Sequence, residues 1–342
     1  MIIQENIAIA QLTTMRLGGT ARYLIEIEKE TGLKDAYAFA AEKDLPTYIL
    51  GDGSNVIASD EGFSGLVVLN RLKGIEVISE TPDKLSLRVA TGEQLDDLVA
   101  YAVSGAWCGI EALTEIPGTV GGAIMQNAGA YGQEMSQVLL GVDAYDIEQG
   151  EFVHIPVADM ELCYRHSIFN SDGPNSVRGK YFLTAAHICL NREEIKGELY
   201  GSLQAYLGDH NIEGRSARTI RDAVKAIRVS KLPDPATTAS SGSFFKNITV
   251  EETELEDLRE RFPGIPIFLV GNRWEIPSGW LIEQAGLKGR LLHGMRVSDK
   301  AALILINESA DTYVNMCKAR AEIAAAVKDK FGFILEQEPE EI

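Results

Sequence analysis

The spacing of apolar positions predicts alternating strands and helices in the first seventy residues. Short apolar runs indicate strands at 21–27, 48–50 and 65–69. Between the first two runs, Leu33 and Tyr37 recur at helical spacing after Thr31, a candidate N-cap. Pro46 ends this helix, because proline cannot continue the helical hydrogen bonds. The pattern therefore predicts a small α/β unit.

A second α/β unit is predicted from about residue 73. Leu85, Leu87 and Val89 alternate with more polar residues, as expected for a half-buried strand. The helix that follows places Leu95 on its apolar face and can end at Gly105. Further strands are expected at 138–147, 152–155 and 181–190, with a loop at 170–179.

The last third is predicted to form a third subdomain, since 342 residues exceed the usual size of one hydrophobic core. A helix carrying Ile220 and Val224 is stopped by Pro233. Three more helices are expected, marked by residues at helical spacing: Leu255, Leu258 and Phe262; Trp280, Leu281 and Gln284; Val314, Cys317 and Ala321. Strands are expected at 302–306 and 331–335, and continued alternation would place Glu336 and Glu338 on one face. The expected boundaries are 1–69, 70–215 and 216–342.

Two glycine-rich segments interrupt this regular pattern. The longer one, IPGTVGGAIMQNAGAYG at 116–132, contains five glycines, and the shorter one, LGDGSN at 50–55, directly follows an apolar run. Glycine lets backbone amides approach a ligand closely, so the two turns could hold one diphosphate from two sides. For either segment alone, a purely structural turn is the alternative. A Rossmann site is excluded, because Val56 stands where that fingerprint requires its third glycine.

Composition and charge narrow the class of protein. The N-terminal segment has no basic leader before an apolar core, and the longest apolar runs are too short to span a bilayer, so we expect a cytoplasmic protein. A net charge of −18 argues against nucleic acid and acidic membranes as partners, but not against an anionic small molecule. The four cysteines and five histidines are dispersed, which predicts reduced thiols and no metal site.

Three polar residues stand in contexts that suit catalysis. Arg165 lies in YRHSIF, where it could form a structural ion pair or stabilise developing negative charge. Ser243 lies in SGSFFKN, and no G-x-S-x-G elbow surrounds it, which argues against a hydrolase. Glu338 lies in an acidic C-terminal segment that, taken alone, is typical of a solvated tail.

Five motifs together resemble one known family. LGDGSN, IPGTVGGAIMQNAGAYG, YRHSIF, KLPDP followed by SGSFFKN, and LEQE occur in the order found in the UDP-N-acetylenolpyruvoylglucosamine reductases of bacterial cell-wall synthesis. The resemblance implies an α+β fold, with an FAD-binding domain of the vanillyl-alcohol-oxidase and p-cresol-methylhydroxylase type made of two α/β subdomains. A C-terminal α+β substrate domain would follow it. Tyr200 resembles the uridine-nucleotide tyrosine of the branch that carries an extra loop.

The resemblance also implies roles for individual residues. Its catalytic positions fall on Arg165, Ser243 and Glu338. Its FAD-lining positions fall on Gly51, Gly53, Ser54, Asn55, Pro117, Gly118, Gly121, Gly122, Gln126, Gly129, Tyr131 and Arg228. Its substrate contacts fall on Tyr200, Lys231, Asn247 and Gln284.

The implied reaction is the NADPH-driven, FAD-dependent reduction of UDP-N-acetylglucosamine enolpyruvate to UDP-N-acetylmuramate. Hydride would pass from flavin N5 to C3 of the enol ether, and Ser243 would deliver a proton to C2. Arg165 and a Glu338 of raised pKa would stabilise the negative charge that develops. We expect ping-pong kinetics and a monomer without nucleic-acid or membrane partners.

The chain departs from the family pattern near its C-terminus. Pro339 and Glu340 follow Glu338, where the family commonly has an aliphatic and a basic residue. No lysine closely precedes GWLIE at 279–283, where one is often found. Both departures bear on substrate affinity more than on the type of reaction.

Two rival functions are compatible with parts of the pattern. An FAD-dependent sugar or alcohol oxidase of the same fold would use oxygen as acceptor and would need no serine in the SGSFFKN position. A non-catalytic nucleotide-binding module would have kept the fold and lost the chemistry.

Overall fold

The computed structural model describes residues 2–196 and 199–342 as follows. The strands are β1 (Ile3–Ala8), β2 (Thr20–Ile27), β3 (Thr47–Leu50), β4 (Val56–Ile57), β5 (Phe63–Asn70), β6 (Ile75–Glu80), β7 (Lys84–Ala90), β8 (Gly129–Ala130), β9 (Gln133–Glu134), β10 (Leu139–Asp146), β11 (Glu151–Pro156), β12 (Tyr181–Asn191), β13 (Ser240–Ser243), β14 (Ile248–Val250), β15 (Phe268–Val270), β16 (Arg273–Ile276), β17 (Leu291–Leu292), β18 (Met295–Val297), β19 (Ile304–Asn307) and β20 (Glu340–Glu341). The helices are α1 (Leu33–Glu42), α2 (Leu95–Ser104), α3 (Val120–Met125), α4 (Gly201–Asp209), α5 (Ala217–Lys231), α6 (Leu255–Arg261), α7 (Ser278–Gln284) and α8 (Tyr313–Phe331). Within these described ranges, no helix is both long and apolar enough to cross a membrane.

The chain divides into two compact units. The first unit comprises Met1–Ile7, Ala21–Asp52 and Phe63–Ser230, and the second comprises Ala8–Thr20, Gly53–Gly62 and Lys231–Ile342. The LGDGSN turn is therefore divided, with its first three residues in the first unit and its last three in the second. The boundaries expected from the sequence, at 69/70 and 215/216, stay a prediction.

The first unit is built on two sheets. One has the order β1-β2-β5-β3, in which β5 pairs in parallel with β2 and with β3. The other is antiparallel, with the order β11-β10-β12-β7-β6. In β7, Leu85, Leu87 and Val89 are buried and the residues between them are half-buried, so the predicted alternation is confirmed.

Helix α1 confirms the predicted helix but not its predicted cap. Thr31 lies in a 3-10 turn at Glu30–Gly32, and Gly32 is the residue that precedes the helix. The Thr31 N-cap prediction is wrong, because this 3-10 turn carries the chain into α1 without a side-chain cap.

The second unit contains the sheet β13-β19-β18-β17, the meander β14-β16-β15 and the parallel pair β20-β4. Helix α8 is confirmed, but the residues that marked it are not its buried face. Met316, Ile323 and Val327 are buried, whereas Val314 is 53% exposed. Two faces of α8 carry apolar residues at helical spacing, and only packing distinguishes them.

The predicted strand at 331–335 is wrong. Phe331 is the last residue of α8, and Gly332 ends that helix in the left-handed conformation at φ +83°. Residues 332–336 form no strand, and the chain pairs further on, around Gln337. Helix α3, inside the long glycine segment, was not predicted, because two glycines in its first turn oppose a helix on propensity.

Candidate active site

The two glycine-rich turns meet within the first unit. Gly51 follows β3, and a Cβ added to it would lie 2.7 Å from Oγ1 of Thr119. Thr119 caps α3, since its Oγ1 accepts a hydrogen bond from the Gly122 amide at 3.2 Å. A side chain at Gly51 would collide with this cap, so the glycine is required for the close approach of the two turns.

Backbone amides at the start of α3 are already used inside the protein. The amide of Val120 donates to the Glu93 carbonyl, and that of Gly121 donates to the Thr91 carbonyl, both at 2.8 Å. A Cβ on Gly121 would lie 3.1 Å from Thr91, which is tighter than ordinary packing. Gly121 therefore allows close packing. The amide of Gly122 is also used, since it donates to Thr119, so any contact that either glycine makes with a cofactor would use atoms other than these amide hydrogens. Pro117 and Gln126 stand on either side of α3, and Gln126 is its C-terminal flanking residue.

The second half of the LGDGSN turn, residues 53–55, lies in the second unit. Gly53 has φ +63°, and a Cβ there would lie 2.1 Å from the Leu12 carbonyl oxygen. The Thr14 amide donates to the Gly53 carbonyl at 3.1 Å, and its hydroxyl donates to the Ser54 carbonyl at 3.4 Å. Only glycine fits this position, because both its backbone angle and its surroundings exclude a side chain.

The YRHSIF motif is anchored to the long glycine segment in the first unit. Arg165 donates from Nη2 to the Gly129 carbonyl at 3.3 Å, and its guanidinium lies over the Tyr164 ring. Asn127 donates from Nδ2 to the Cys163 carbonyl at 3.1 Å, and the Ser167 hydroxyl donates to the Met125 carbonyl. The structure thus brings together two motifs that the sequence separates by more than thirty residues.

Left-handed backbone is concentrated in these segments. Glu115, Asn127, Tyr131 and Arg165 have φ between 44° and 59°. Such conformations cost roughly 1–3 kcal/mol each for residues other than glycine, and they are concentrated at ligand and active sites. Arg165 therefore has an uncommon backbone geometry, which the surrounding structure has to maintain.

Arg228 on α5 carries a buried, unsatisfied donor. Its Nη2 donates to the Glu115 carbonyl at 3.0 Å, but its buried Nε meets no acceptor among the described residues. Burial lowers the pKa of Arg228 below its ordinary value, although nearby Tyr131 and Glu115 oppose that effect. An anionic oxygen at this point would satisfy the donor and offset the desolvation of the cation. This orphaned N–H is the local feature that best fits a phosphate-bearing cofactor.

Two tyrosines pack together beside Arg228. The Tyr131 and Tyr200 rings lie edge to face, with centroids 5.7 Å apart, and Tyr200 remains 39% exposed. Burial raises the pKa of Tyr131, against the opposing effect of the Arg228 charge. Tyr200 thus presents an exposed aromatic ring next to the end of the glycine segment.

Ser243 and Glu338 are brought together by backbone pairing in the second unit. Gly242, at φ +73°, stands at an irregularity in the pairing of β13 with β19, directly before Ser243. The next residue, Phe244, is fully buried, and its carbonyl accepts the Glu338 amide at 3.0 Å. The Lys246 amide donates to the Glu336 carbonyl at 2.9 Å, which extends this pairing. The proposed catalytic glutamate is therefore part of a paired segment and not of a loose tail.

The remaining predicted substrate residues have different surroundings. Asn247 donates from Nδ2 to buried Glu275 at 3.0 Å, and its Oδ1 accepts the Ser278 amide at 3.2 Å. These bonds join β14, β16 and the start of α7. Lys231 and Gln284 are exposed, and the Gln284 carbonyl accepts a hydrogen bond from Lys330.

Sequence reasoning missed the residue that secures the C-terminal segment. Arg320 on α8 donates to Gln337 and, at 2.7 Å, to the Glu341 carboxylate. Burial would raise the pKa of Glu341, but hydrogen bonds from Arg320 and Tyr313 outweigh burial and lower it. No local pattern links residues 320 and 341, because the contact depends on where α8 ends and the chain turns back.

Two family models match this chain. An FAD binding domain matches residues 21–156, and the model described as "UDP-N-acetylenolpyruvoylglucosamine reductase, C-terminal domain" matches residues 234–342.

Several curated relatives, all named UDP-N-acetylenolpyruvoylglucosamine reductase, are similar over most of their length. The protein from Amoebophilus asiaticus is 34% identical over 99% of this chain and 98% of its own. The Shewanella baltica protein is 38% identical over 87% of this chain and 85% of its own. The Salmonella typhimurium protein is 36% identical over 95% of this chain and 92% of its own.

Among solved structures, UDP-N-acetylenolpyruvylglucosamine reductase from Thermus caldophilus aligns over 99% of both chains, with a TM-score of 0.67 and 22% identity. The predicted α+β fold, an FAD-binding domain followed by a separate C-terminal domain, is confirmed.

Proposed function

This chain belongs to the UDP-N-acetylenolpyruvoylglucosamine reductase family, and on that basis we propose how its residues share the reaction. It is an FAD-dependent oxidoreductase that uses NADPH to reduce UDP-N-acetylglucosamine enolpyruvate to UDP-N-acetylmuramate, in peptidoglycan precursor synthesis. The observation that carries this conclusion is similarity along almost the whole chain, including both matched domains. The sequence-based predictions of family, reaction and cofactors are confirmed.

Bound FAD supplies the hydride chemistry that links NADPH oxidation to substrate reduction. We propose that two features of the first unit form part of the FAD site. One is the close approach of Gly51 to Thr119, and the other is the Nε of Arg228, which has no acceptor among the described residues. The role of Arg228 is to place a fixed positive charge and a free donor against a phosphate oxygen. The other FAD-lining assignments made from the motifs stay predictions.

Ser243 is the proposed proton donor to C2 of the substrate. A serine hydroxyl is a weak acid, so it can act only when it is held within hydrogen-bond reach of a strongly basic carbon centre. The support for this role is positional: Ser243 follows a left-handed glycine and precedes the fully buried anchor Phe244. Both neighbours restrict the backbone that carries the hydroxyl.

Arg165 and Glu338 are the proposed stabilisers of negative charge on the substrate. The guanidinium of Arg165 is held by the Gly129 carbonyl, which limits its reorganisation during the reaction. Glu338 is held through its own backbone N–H, which donates to the Phe244 carbonyl. Protonated Glu338 could donate a hydrogen bond to the developing charge.

Substrate binding is assigned to Tyr200, Lys231, Asn247 and Gln284. The exposed ring of Tyr200 suits stacking against a nucleotide base, and Lys231 suits a phosphate or carboxylate group. Asn247 forms hydrogen bonds with Glu275 and Ser278, which support a positioning role as well. We further propose a monomer acting in the bacterial cytoplasm without nucleic-acid or membrane partners, and the net charge of −18 supports this.

A stoichiometry measurement tests this proposal. The FAD-loaded protein, kept free of oxygen, should consume one NADPH for each UDP-N-acetylmuramate formed, with parallel double-reciprocal lines that indicate ping-pong kinetics. Intersecting lines would contradict the shared use of one site by NADPH and substrate. In air, oxygen-dependent turnover of a sugar or an alcohol without NADPH would instead support the oxidase alternative.

A further inference from the structure

The five-stranded sheet of the first unit collects side chains that lie far apart in sequence. Asp143 on β10 lies opposite His154 on β11, and its Oδ1 is 3.0 Å from His154 Nδ1. His187 on β12 brings its Nε2 to 2.9 Å from the same carboxylate oxygen. The sequence predicts no metal site, because its histidines are dispersed, but strand register brings two of the five together.

We propose that Asp143, His154 and His187 form a binding site for a divalent transition metal ion, with zinc as the best-suited ion. One potential ligand atom from each residue lies within 4.8 Å of the other two. Two imidazole nitrogens and one carboxylate form the ligand set of zinc sites that leave a fourth position open to water. Donors in a tetrahedral zinc site lie about 3.3 Å apart, so the separations of 3.0 and 2.9 Å between Asp143 Oδ1 and the two imidazole nitrogens need to open only slightly.

The surroundings of Asp143 suit a metal ligand. Arg88 donates from Nε to Asp143 Oδ2 at 3.0 Å, which leaves Oδ1 facing the two imidazoles. The charge of Arg88 is offset by Glu30, whose Oε1 lies 3.0 Å from Nη2. A hydrogen bond such as the one from Arg88, made to the carboxylate oxygen that does not face the imidazoles, orients a ligating carboxylate.

Gly141 makes room for the two imidazoles. It lies opposite His187 in the sheet, and a Cβ added to it would lie 2.9 Å from Nε2 of His154. Without that side chain, the His154 ring can lie above β10, with its centroid 5.1 Å from that of His187. The side chains of His154 and His187 are 52% and 29% exposed, so solvent can reach the fourth coordination position. A bound ion would link three adjacent strands.

Zinc binding to the FAD-loaded protein tests the proposal. After removal of metals with a chelator, equilibrium dialysis and calorimetry with Zn²⁺ alone should show one site per chain, and the unfolding temperature should rise with Zn²⁺. His187→Gln and Asp143→Asn should each weaken binding by at least about tenfold. Reductase activity should not depend on Zn²⁺, since none of these residues is placed at the reacting atoms.

His293→Gln provides a matched control. His293 Nε2 lies 3.3 Å from the Glu322 carboxylate in the second unit, so it is also a histidine–carboxylate pair, but it does not belong to the proposed set. This variant should bind Zn²⁺ like the parent protein. If His187→Gln fails to fold, His154→Gln at the more exposed ligand replaces it. Absence of saturable Zn²⁺ binding, or equal affinity in the ligand variants, would overturn the proposal and leave a purely hydrogen-bonded cluster.

Discussion

Asn55 donates a hydrogen bond from Nδ2 to the backbone carbonyl of Glu338, at 3.4 Å and across 283 positions of sequence. The Glu340 amide in turn donates to the Asn55 carbonyl at 2.9 Å. One residue of the proposed FAD turn therefore contacts the C-terminal segment on both sides of Pro339. This contact links the backbone at the proposed cofactor turn to the backbone that carries the proposed catalytic glutamate.

The C-terminal segment is held from a second direction by Arg320. Arg320→Met removes its bonds to Gln337 and Glu341, so the segment that carries Glu338 should be held less tightly. We expect kcat for substrate reduction to fall by about tenfold, the scale of losing a charge-assisted hydrogen bond, while NADPH-driven flavin reduction is retained. Stopped-flow measurement of the two half-reactions checks this. Lys318→Met, at an exposed position on the same helix, is the control, and an equal loss in both variants would contradict the positioning role.

Ser243→Ala should separate the two half-reactions more strongly. Flavin reduction by NADPH should be almost unchanged, and substrate reduction should slow by at least roughly 10²-fold, the lower end for loss of a general acid. Ser241→Ala is the matched control on the same strand, because the Ser241 hydroxyl is buried and has no acceptor or donor among the described residues. Equal slowing of both half-reactions would rule out proton donation by Ser243.

Glu338→Gln tests the acid in the C-terminal segment. The substitution keeps the shape of the side chain and the backbone bond to Phe244, so the fold should persist. Turnover should drop by about 10²-fold, because an amide N–H is a weaker hydrogen-bond donor than a protonated carboxyl to the negative charge that develops on the substrate. Glu336→Gln, whose side chain is 73% exposed in the parent protein, should be neutral. Unchanged turnover in Glu338→Gln would mean that this segment has only a surface role.

Arg228→Met tests the orphaned donor on α5. FAD affinity should fall by about 10- to 100-fold, the range for a charge-assisted hydrogen bond of 1.5–3 kcal/mol. The apoprotein should keep its stability or gain some, since the substitution removes a buried donor without an acceptor. Titration by flavin fluorescence measures the first effect and urea unfolding the second. The control is Lys225→Met, at an exposed position on the same helix, which should bind FAD normally. If Arg228→Met binds FAD as tightly as the parent protein, Arg228 is excluded from the cofactor site.

Local patterns were sufficient for most of the regular elements. The alternation of Leu85, Leu87 and Val89 indicates β7 because a strand has a period of two residues, and the strand is buried as expected. The beginnings and ends of helices were harder to predict from local patterns. Thr31 has a side chain that could cap a helix, but it does not cap α1. Phe331 is aromatic, which favours a strand, but it is the last residue of α8.

Long-range contacts explain what the sequence could not show. Helix α3 forms despite its glycines, because the carbonyls of Glu93 and Thr91 accept amides from its first turn. Glu338 is aligned with Phe244 by backbone atoms, which carry no sequence signal. The motifs indicated the candidate site residues. The surroundings of those residues depend on strand register and on where each helix ends.

The most direct test of the whole account is a visible absorbance spectrum of the purified protein, followed without oxygen as NADPH and then UDP-N-acetylglucosamine enolpyruvate are added. We expect a flavin spectrum that NADPH bleaches and that the enolpyruvyl substrate restores, with one UDP-N-acetylmuramate formed per flavin reoxidised. A protein that shows no flavin spectrum even after added FAD, or a bleached flavin that this substrate does not restore, would contradict the account.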